Sequence, residues 1–205
     1  MRIPSRRSAF TLLELMIVLV IISLLGAAFL VVSGRALGRG VEQKAKARLQ
    51  QLAVMVEQFR QTEGEYPNDR LPSSVTGNGI NVGSEALYLA LFDADYHGES
   101  PNQEWLVNTD ADQTARNLTR LLSRELFEIG DPWGNPIAYF ESLHYEDSRA
   151  VPYYAAPEDE EPFEQLVAPS RNERTGGWEQ EGRFQLVSAG ADGEFGTEDD
   201  LFHYR

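Results

Sequence analysis

The stretch that decides the fold is FTLLELMIVLVIISLLGAAFLVV, which occupies residues 10–32. It follows Arg2, Arg6 and Arg7, and its one charged residue is Glu14. A helix rises ~1.5 Å per residue, so about twenty apolar residues match the ~30 Å hydrocarbon core of a bilayer. The length therefore predicts a membrane helix.

Two interpretations of this segment compete, a cleaved secretory signal and a retained helix. A secretory signal has an apolar core of roughly 7–15 residues followed by a small-residue cleavage site. Here the uncharged run at 15–32 is longer, and Arg35 and Arg39 follow it, which favours a retained helix. A carboxylate inside a membrane span costs roughly 2.5–3.5 kcal/mol and by default marks a functional residue. Glu14 is therefore a candidate functional residue, the alternative being a glutamate that reaches the membrane interface.

The charge of the chain is divided between two unequal parts. Residues 1–50 contain eight Lys/Arg and two acids, a balance of +6, so the total of −14 leaves −14 − 6 = −20 for residues 51–205. Nucleic-acid affinity depends largely on Lys and Arg, so this acidity argues against a nucleic-acid partner. The absence of cysteine excludes disulfides, thiolate zinc sites and thiol nucleophiles. The histidines His97, His144 and His203 lack ligand spacing, so a bound metal would be held by oxygen.

An amphipathic helix is predicted after the apolar segment. Apolar residues at 41, 45, 49, 52, 56 and 59 step by four and three, which indicates a helix with one buried face. Gly64 and Pro67 predict its end. The two segments together predict one helix from Phe10 to Thr62, roughly 80 Å long.

The rest of the chain predicts short helices and strands. Residues 68–83 have the composition of a loop. Ser84 is the candidate N-cap of a short helix that ends at Phe92, and residues 112–127 predict another helix.

Strands are predicted towards the carboxyl terminus. One follows the turn motif Asp-Pro-Trp-Gly-Asn-Pro at 131–136, a second lies at 183–188, and a short one lies at 202–204. The acidic runs at 93–95 and 158–161 are interpreted as solvated loops, and no catalytic cleft can be inferred from them.

The amino-terminal residues resemble the class III signal of type IV pilins and of the pseudopilins of type II secretion. The shared pattern is a set of basic residues, a small residue and Phe-Thr-Leu-x-Glu leading into an apolar helix. The resemblance implies that a prepilin peptidase cleaves between Ala9 and Phe10 and methylates the new amino terminus. In this chain Ala9 stands where most relatives have glycine. The mature chain would have 205 − 9 = 196 residues.

The resemblance also implies a partner for Glu14, which is the terminal amine of Phe10 in the next subunit of a filament. Opposite charges attract strongly where the dielectric constant is low, and a buried charge without a partner is heavily penalised. Glu14 would thereby select the correct axial register between subunits.

Two further regions narrow the resemblance to the G-type major pseudopilin of type II secretion. They are residues 63–67 and the carboxy-terminal part, which combines the 131–136 motif with Ser-Ala-Gly-Ala-Asp-Gly at 188–193 and Gly-Thr-Glu-Asp-Asp at 196–200. In that family the carboxy-terminal loop binds calcium. The matching residues are Asp192, Asp199 and Asp200 through their side chains and Ala189 and Glu194 through their backbone carbonyls.

The chemistry of calcium suits this donor set. Ca²⁺ takes 6–8 oxygen ligands, among them carboxylates and carbonyls. A cation would also hold the loop together in a chain without disulfides, whereas a solvated turn with three incidental acids is the alternative.

The resemblance implies an α+β, type IV pilin-like fold, in which a long amino-terminal helix packs on a small antiparallel sheet. A leader at 1–9 would be cleaved, residues 10–34 would be the transmembrane and assembly half of the helix, and residues 35–205 a periplasmic globular domain. That domain would comprise a spine helix at 35–63, a variable middle at 68–130 and a sheet with the calcium loop at 131–205. The middle and the acidic loop at 155–178 are longer than in typical members and have no role by analogy.

The function implied is that of a structural subunit, not an enzyme, of a type II secretion pseudopilus. It would be a single-pass protein of the bacterial inner membrane with its carboxy-terminal domain in the periplasm. Its partners would be copies of itself, other pseudopilins, the prepilin peptidase, the inner-membrane assembly platform and membrane lipid. A type IV pilin or competence-type pseudopilin is the first alternative. A membrane-anchored calcium-dependent enzyme is the alternative from another class.

Overall fold

The computed structural model describes residues 12–146, 151–157 and 160–205, apart from the side chains of residues 26–38. The chain divides into two compact units, residues 1–40 and 41–205.

Helix α1, Leu12–Glu63, contributes residues to both units. In the first unit its large apolar side chains between Leu12 and Leu25 are 46–78% exposed. None of the helices, as far as their residues are described, has the length and hydropathy required to cross a bilayer. The predicted membrane segment at 10–34 lies partly outside the described residues.

The amphipathic part of α1 is confirmed in the second unit. Ala45, Leu49, Leu52 and Val56 are buried, as the four-and-three spacing predicts. The helix ends at Glu63, because Gly64 turns the chain with a φ of +90° while its N–H donates to the carbonyl of Arg60 at 2.9 Å. Glycine adopts such a φ without a steric penalty, and the predicted end is therefore confirmed.

Helix α2, Val82–Leu91, lies against this stripe. The prediction that Ser84 caps it is wrong, since the residue before the helix is Asn81, which makes no side-chain cap bond. Ser84 instead lies inside the helix, where its Oγ accepts a hydrogen bond from the N–H of Ile129 at 3.1 Å. Its hydroxyl satisfies a buried strand amide, and the N-cap position lies three residues earlier, at Asn81.

The strands form three small antiparallel sheets in the described part of the chain. The first sheet pairs β1 with β2, the second has the order β3-β6-β7, and the third pairs β4 with β5. Their bounds are β1 Leu106–Val107, β2 Glu128–Ile129, β3 Ala138–Glu141, β4 Val151–Ala155, β5 Phe163–Val167, β6 Phe184–Ser188 and β7 Leu201–Phe202. Short 3-10 helices span Gln103–Trp105 and Ser142–His144. The three strands predicted from the sequence correspond to β3, β6 and β7.

The helix predicted at 112–127 is wrong. Gln113 instead pairs with Glu125 in an isolated antiparallel bridge. The backbone N–H of Thr114 donates to the carbonyl of Arg124 at 2.7 Å, and its Oγ1 lies within hydrogen-bond distance of the carbonyls of Arg116 and Arg124, at 2.8 and 2.9 Å. Threonine hydroxyls compete with helical hydrogen bonds in this way, so the apolar periodicity of the segment does not produce a helix.

Among the described residues, two clusters of buried side chains form the core. The larger one joins α1 and α2 to the faces of β3 and β6, with Leu52, Leu87, Tyr139 and Phe184 at its centre. The smaller cluster lies between the second sheet and the hairpin β4–β5, around Tyr153. The hairpin belongs partly to the acidic loop at 155–178, for which the sequence predicted no structure. The fold is α+β with small antiparallel sheets, as predicted.

Candidate functional site: the amino-terminal motif and two acidic regions

The residues predicted for processing and assembly lie at the start of the chain. Ala9 and Phe10 fall outside the described residues. Glu14 lies in the first turn of α1 and is exposed. The partial positive charge at a helix amino terminus favours a carboxylate there. Cleavage between Ala9 and Phe10 stays a prediction.

The motif at 131–136 forms a turn between β2 and β3. Asp131 is buried, and its Oδ1 accepts hydrogen bonds from the N–H groups of Trp133 and Asn135 at 2.9 and 3.0 Å. The Oδ1 of Asn135 accepts from the N–H of Ala156 at 2.8 Å. The polar residues of the motif therefore build the turn and fasten it to the end of β4.

The same aspartate supports the start of the carboxy-terminal loop. The Oγ of Ser188, the last residue of β6, donates to Asp131 Oδ2 at 2.6 Å. Burial raises the pKa of Asp131, and the hydrogen bond from Ser188 opposes that shift. The turn thus positions the residue from which the loop departs.

The loop at 189–200, which connects β6 to β7, contains the five predicted calcium ligands. Asp199 Oδ2 accepts from the N–H of Asp192 at 3.0 Å, and Asp192 Oδ1 accepts from the N–H of Glu194 at 2.9 Å. Ala189 is buried and Glu194 is exposed. The structure brings Asp192 and Asp199 into contact, with backbone amides supplying their donors.

The carboxylate of Asp200 is only partly compensated by hydrogen bonds within the loop. Its Oδ2 accepts from the N–H of Gly196 at 2.8 Å, whereas its Oδ1 is buried without a hydrogen-bond partner. Burial, with the negative charges of Asp192 and Asp199, raises the pKa of Asp200 to about 6. A buried, unpartnered carboxylate oxygen next to two other aspartates fits a hard cation. Calcium binding by this loop stays a prediction.

A second acidic group lies in the middle segment and is not predicted by the sequence pattern. Within the part of the chain that the structure describes, one set of three acidic side chains has an oxygen from each within 4.8 Å of the others. That set is Glu85, Asp110 and Glu128, and the aspartates of the carboxy-terminal loop do not form such a set. Glu85 and Glu128 are fully buried. The sequence contains one indication of this group: Glu85 and Glu128 each lie within a run of apolar residues, which is unusual for a charged residue.

Asn81 organises this group from the residue before α2. Its Nδ2 donates to Glu128 Oε1 at 2.9 Å and lies 3.4 Å from Asp110 Oδ2. Its Oδ1 accepts from the N–H of Tyr154 at 2.9 Å. Asn81 is fully buried and has a φ of 54°, a region in which asparagine is enriched. It therefore joins the hairpin β4–β5 to the acidic group.

The basic residues after the apolar segment do not all face outward. Arg48 Nη1 donates to the carbonyl of Gly130 at 2.6 Å, and its guanidinium lies 4.8 Å from the ring centroid of Trp105. Burial lowers the pKa of Arg48. Lys46 pairs with Glu42 at 2.7 Å on the helix surface. Arg48 therefore holds the turn after β2 against α1 and is not available to lipid.

Comparison with known proteins bears on the amino terminus. A family model described as the prokaryotic N-terminal methylation motif matches residues 4–30. Neither curated proteins nor solved structures give a match. The matched residues include Ala9, Phe10 and Glu14. The motif supports a type IV pilin-like or pseudopilin protein, and it is typical of membrane-anchored pilins that a prepilin peptidase processes and that assemble into filaments. In this motif and in its α+β architecture, the chain is similar to pilin-like proteins.

Proposed function

We propose that the protein is a structural subunit of a type II secretion pseudopilus and not an enzyme. The observation that carries this proposal is the methylation motif at 4–30, which overlaps the start of α1. The same helix continues into a small α+β unit through its buried apolar stripe. The motif at 131–136 and the aspartate-containing loop at 189–200 favour the secretion type over a surface pilin.

Assembly would use the exposed apolar surface of the first unit. The large apolar side chains of Leu12–Leu25 are more than two-fifths exposed in the isolated chain. An apolar surface of this size requires a cover. Lipid would cover it before assembly and the amino-terminal helices of neighbouring subunits afterwards. Glu14 of one subunit would then neutralise the methylated amine of Phe10 in the next.

The proposed topology follows from processing on the cytoplasmic side. The leader at 1–9 would remain in the cytoplasm, and the acidic domain would lie in the periplasm. Subunits would be added stepwise at an inner-membrane assembly platform, together with other pseudopilins. The growing filament would push secreted proteins towards an outer-membrane channel.

Calcium in the carboxy-terminal loop would stabilise the domain after export. Asp192, Asp199 and Asp200 would supply carboxylate oxygens, and Ala189 and Glu194 would supply backbone carbonyls. A ligand that binds only the folded state stabilises it by ~2.7 kcal/mol when its free concentration is one hundred times the Kd. The unpartnered Oδ1 of Asp200 supports this proposal.

Substitution of Glu14 tests the proposed function. Glu14→Gln retains the shape of the side chain and removes its charge, so processing should continue while filament assembly falls at least tenfold. Filaments in the cell envelope of bacteria that express the chain with a prepilin peptidase and an assembly platform would be quantified by chemical crosslinking of neighbouring subunits. Glu42→Gln is the matched control, because Glu42 pairs with Lys46 on the surface of the same helix. Filaments at the wild-type level from the Glu14→Gln chain would contradict the proposal.

A further inference from the structure

Glu85 is a charged residue in an apolar position. It lies in the first turn of α2, is fully buried, and both of its carboxylate oxygens lack a hydrogen-bond partner. A buried ionised carboxylate without compensation is so unfavourable that such a group is normally paired, neutralised or bound to a metal. Glu85 is therefore either protonated, which would allow a hydrogen bond with Asp112, or bound to a cation.

Three other carboxylates surround the oxygens of Glu85. One oxygen each from Glu85, Asp110 and Glu128 lies within 4.8 Å of the others. Asp112 approaches Glu85 and the backbone of Asn78, but neither of its buried oxygens makes a hydrogen bond of good geometry. A Cβ atom added at Gly77 would lie 3.4 Å from Asp112 Oδ2 and 3.6 Å from Glu85 Oε2. These two side chains therefore approach the same point beside Gly77, where Leu71 Cδ1 lies closer still, at 2.9 Å from the added Cβ atom.

The carboxylates in this space repel one another, and this repulsion raises pKa values within the group. Burial raises the pKa of Glu85 to about 10, and the charged neighbours that add to the shift are Asp112, Asp110 and Glu128, all of them acids. Burial and Asp110 raise the pKa of Glu128 to about 8. Carboxylates that share a buried site disfavour one another's ionisation. A cation in this space would offset the mutual repulsion of the carboxylates and allow them to ionise.

We infer that Glu85, Asp110, Asp112 and Glu128 bind a divalent cation, Ca²⁺, between α2 and the sheet formed by β1 and β2. Glu85 would bind from the helix, Asp110 and Asp112 from the loop after β1, and Glu128 from β2. The inference does not depend on the proposed secretion function.

The ligand atoms of the proposed site indicate which metal it would bind. The four side chains supply only oxygens, which suit Ca²⁺ or Mg²⁺ better than the metals that prefer imidazole or thiolate. Mg²⁺ usually keeps several of its waters, whereas Ca²⁺ accepts 6–8 protein oxygens in flexible geometry. Two fully buried glutamates favour direct carboxylate ligation and therefore Ca²⁺.

A nearby amide adds a neutral oxygen. Asn108 Nδ2 donates to the carbonyl of Asp112 at 3.1 Å, and Asn108 Oδ1 is buried without a donor. Mixed carboxylate and amide oxygens are usual in calcium sites. Asn108 is thus a candidate additional ligand.

The cation would give the middle segment a structural role. It would hold together α2, β2 and the loop that follows β1, which are otherwise joined by Asn81 and by the hydrogen bond between Ser84 and Ile129. The competing interpretation is a proton shared between Glu85 and Asp112 with no bound cation.

The number of Ca²⁺ ions bound per chain distinguishes a bound cation from a proton shared between Glu85 and Asp112. Isothermal titration of the chelator-treated full chain in detergent micelles, with Ca²⁺ alone as the probe, would be compared between wild type and Glu85→Gln. The substitution retains the shape of Glu85 and removes its charge, so the variant should bind one Ca²⁺ fewer per chain. Asp192→Asn is the matched control, because it alters the carboxy-terminal loop and leaves this group intact.

The double variant Glu85→Gln/Asp192→Asn makes the result independent of the loop. If both sites bind, the wild type takes up two Ca²⁺ per chain, each single variant one, and the double variant none. If the loop does not bind, the wild type takes up one and Glu85→Gln none. Either pattern supports the inference, and equal stoichiometry in wild type and Glu85→Gln overturns it. Asp110→Asn replaces Glu85→Gln if that variant fails to fold, since Asp110 is only partly buried.

Discussion

The carboxy-terminal loop and the buried acidic group around Glu85 differ in how their negative charges are compensated. In the carboxy-terminal loop the acids are close in sequence and accept hydrogen bonds from backbone amides, as Asp192 does from Glu194 and Asp200 does from Gly196. In the middle segment the acids come from three separate elements, and no amide or hydroxyl group donates to Glu85. The loop is thus preorganised by its own backbone, whereas the buried group depends on a cation.

This difference predicts different responses to chelation. The loop retains its amide hydrogen bonds without a cation, so its aspartates are partly compensated. The buried group retains only the donors that reach Asp110 and Glu128, chiefly from Asn81 and the Thr109 amide. Removal of calcium should therefore destabilise the middle segment more than the loop. Substitutions that disrupt one region and spare the other test this comparison.

The largest effect is expected in the loop, at Gly193. This residue has a φ of +65°, and a Cβ atom added to it would lie 2.0 Å from the carbonyl oxygen of Ala156. Gly193→Ala should therefore lower the free energy of unfolding by about 3 kcal/mol or more. Urea denaturation of the full chain in detergent, followed by tryptophan fluorescence, would measure the loss.

Gly196 provides the control for this substitution. It has a φ of +88°, but a Cβ atom there would have nothing within 4 Å. Gly196→Ala should cost only the backbone strain, about 1–2 kcal/mol. Equal losses at the two positions would show that the contact with Ala156 does not hold the loop against the hairpin.

A smaller effect is expected in the middle segment, at Asn81. Asn81→Ala removes the donor to Glu128 and the acceptor for the Tyr154 amide. Loss of these buried hydrogen bonds should lower the free energy of unfolding by about 2–3 kcal/mol. It should also weaken calcium binding at Glu85 while leaving binding in the loop unchanged.

Asn78→Ala is the matched control, because Asn78 is exposed and accepts only from the N–H of Ile80. Its expected loss is below about 1 kcal/mol. If the Asn81→Ala chain were as stable as the Asn78→Ala chain, Asn81 would not be the residue that organises the buried group.

The smallest effect is a pH dependence that arises beside the loop, at His203. Burial lowers the pKa of His203 to about 4, with Arg183 lowering it further and Glu57 opposing. Its Nδ1 accepts from the N–H of Leu186 at 3.1 Å, which requires the neutral ring. Since the folded pKa lies below the unfolded value of 6.5, the unfolded chain binds the proton more readily between these values.

The stability contributed by neutral His203 is therefore complete above about pH 6.5 and is lost as the pH falls towards 4. From pH 7.5 to 5.5 the loss should be about 1 kcal/mol. His203→Asn retains an acceptor for Leu186 and should flatten the profile, whereas His97→Asn, at an exposed position, should not. Parallel profiles for wild type and His203→Asn would contradict this assignment.

The sequence predicts elements whose signal is local. The four-and-three spacing predicts the buried face of α1 because a helix repeats on its own geometry, and Gly64 predicts its end. The same reasoning fails at 112–127, where Thr114 hydrogen-bonds to the carbonyl of Arg124 and the segment pairs across itself. The apolar periodicity shows which residues can be buried. It does not show whether their backbone groups will hydrogen-bond within a helix or to another strand.

The two acidic regions show the same limit. The loop is recognisable because Asp192, Asp199 and Asp200 lie within nine positions of one another and resemble a known pattern. Glu85 and Glu128 are 43 positions apart in the sequence and meet only because α2 packs against β2. A glutamate among apolar residues is a usable signal, but its partners depend on the tertiary fold.

The measurement that tests the account most directly is the mass of the amino-terminal peptide of the mature protein. A chain of 205 − 9 = 196 residues that begins with N-methylated Phe10 is expected in the membrane fraction of bacteria that express a prepilin peptidase. An intact Met1 in that protein, with the peptidase active on a control substrate, would contradict the assignment to a pilin-like filament.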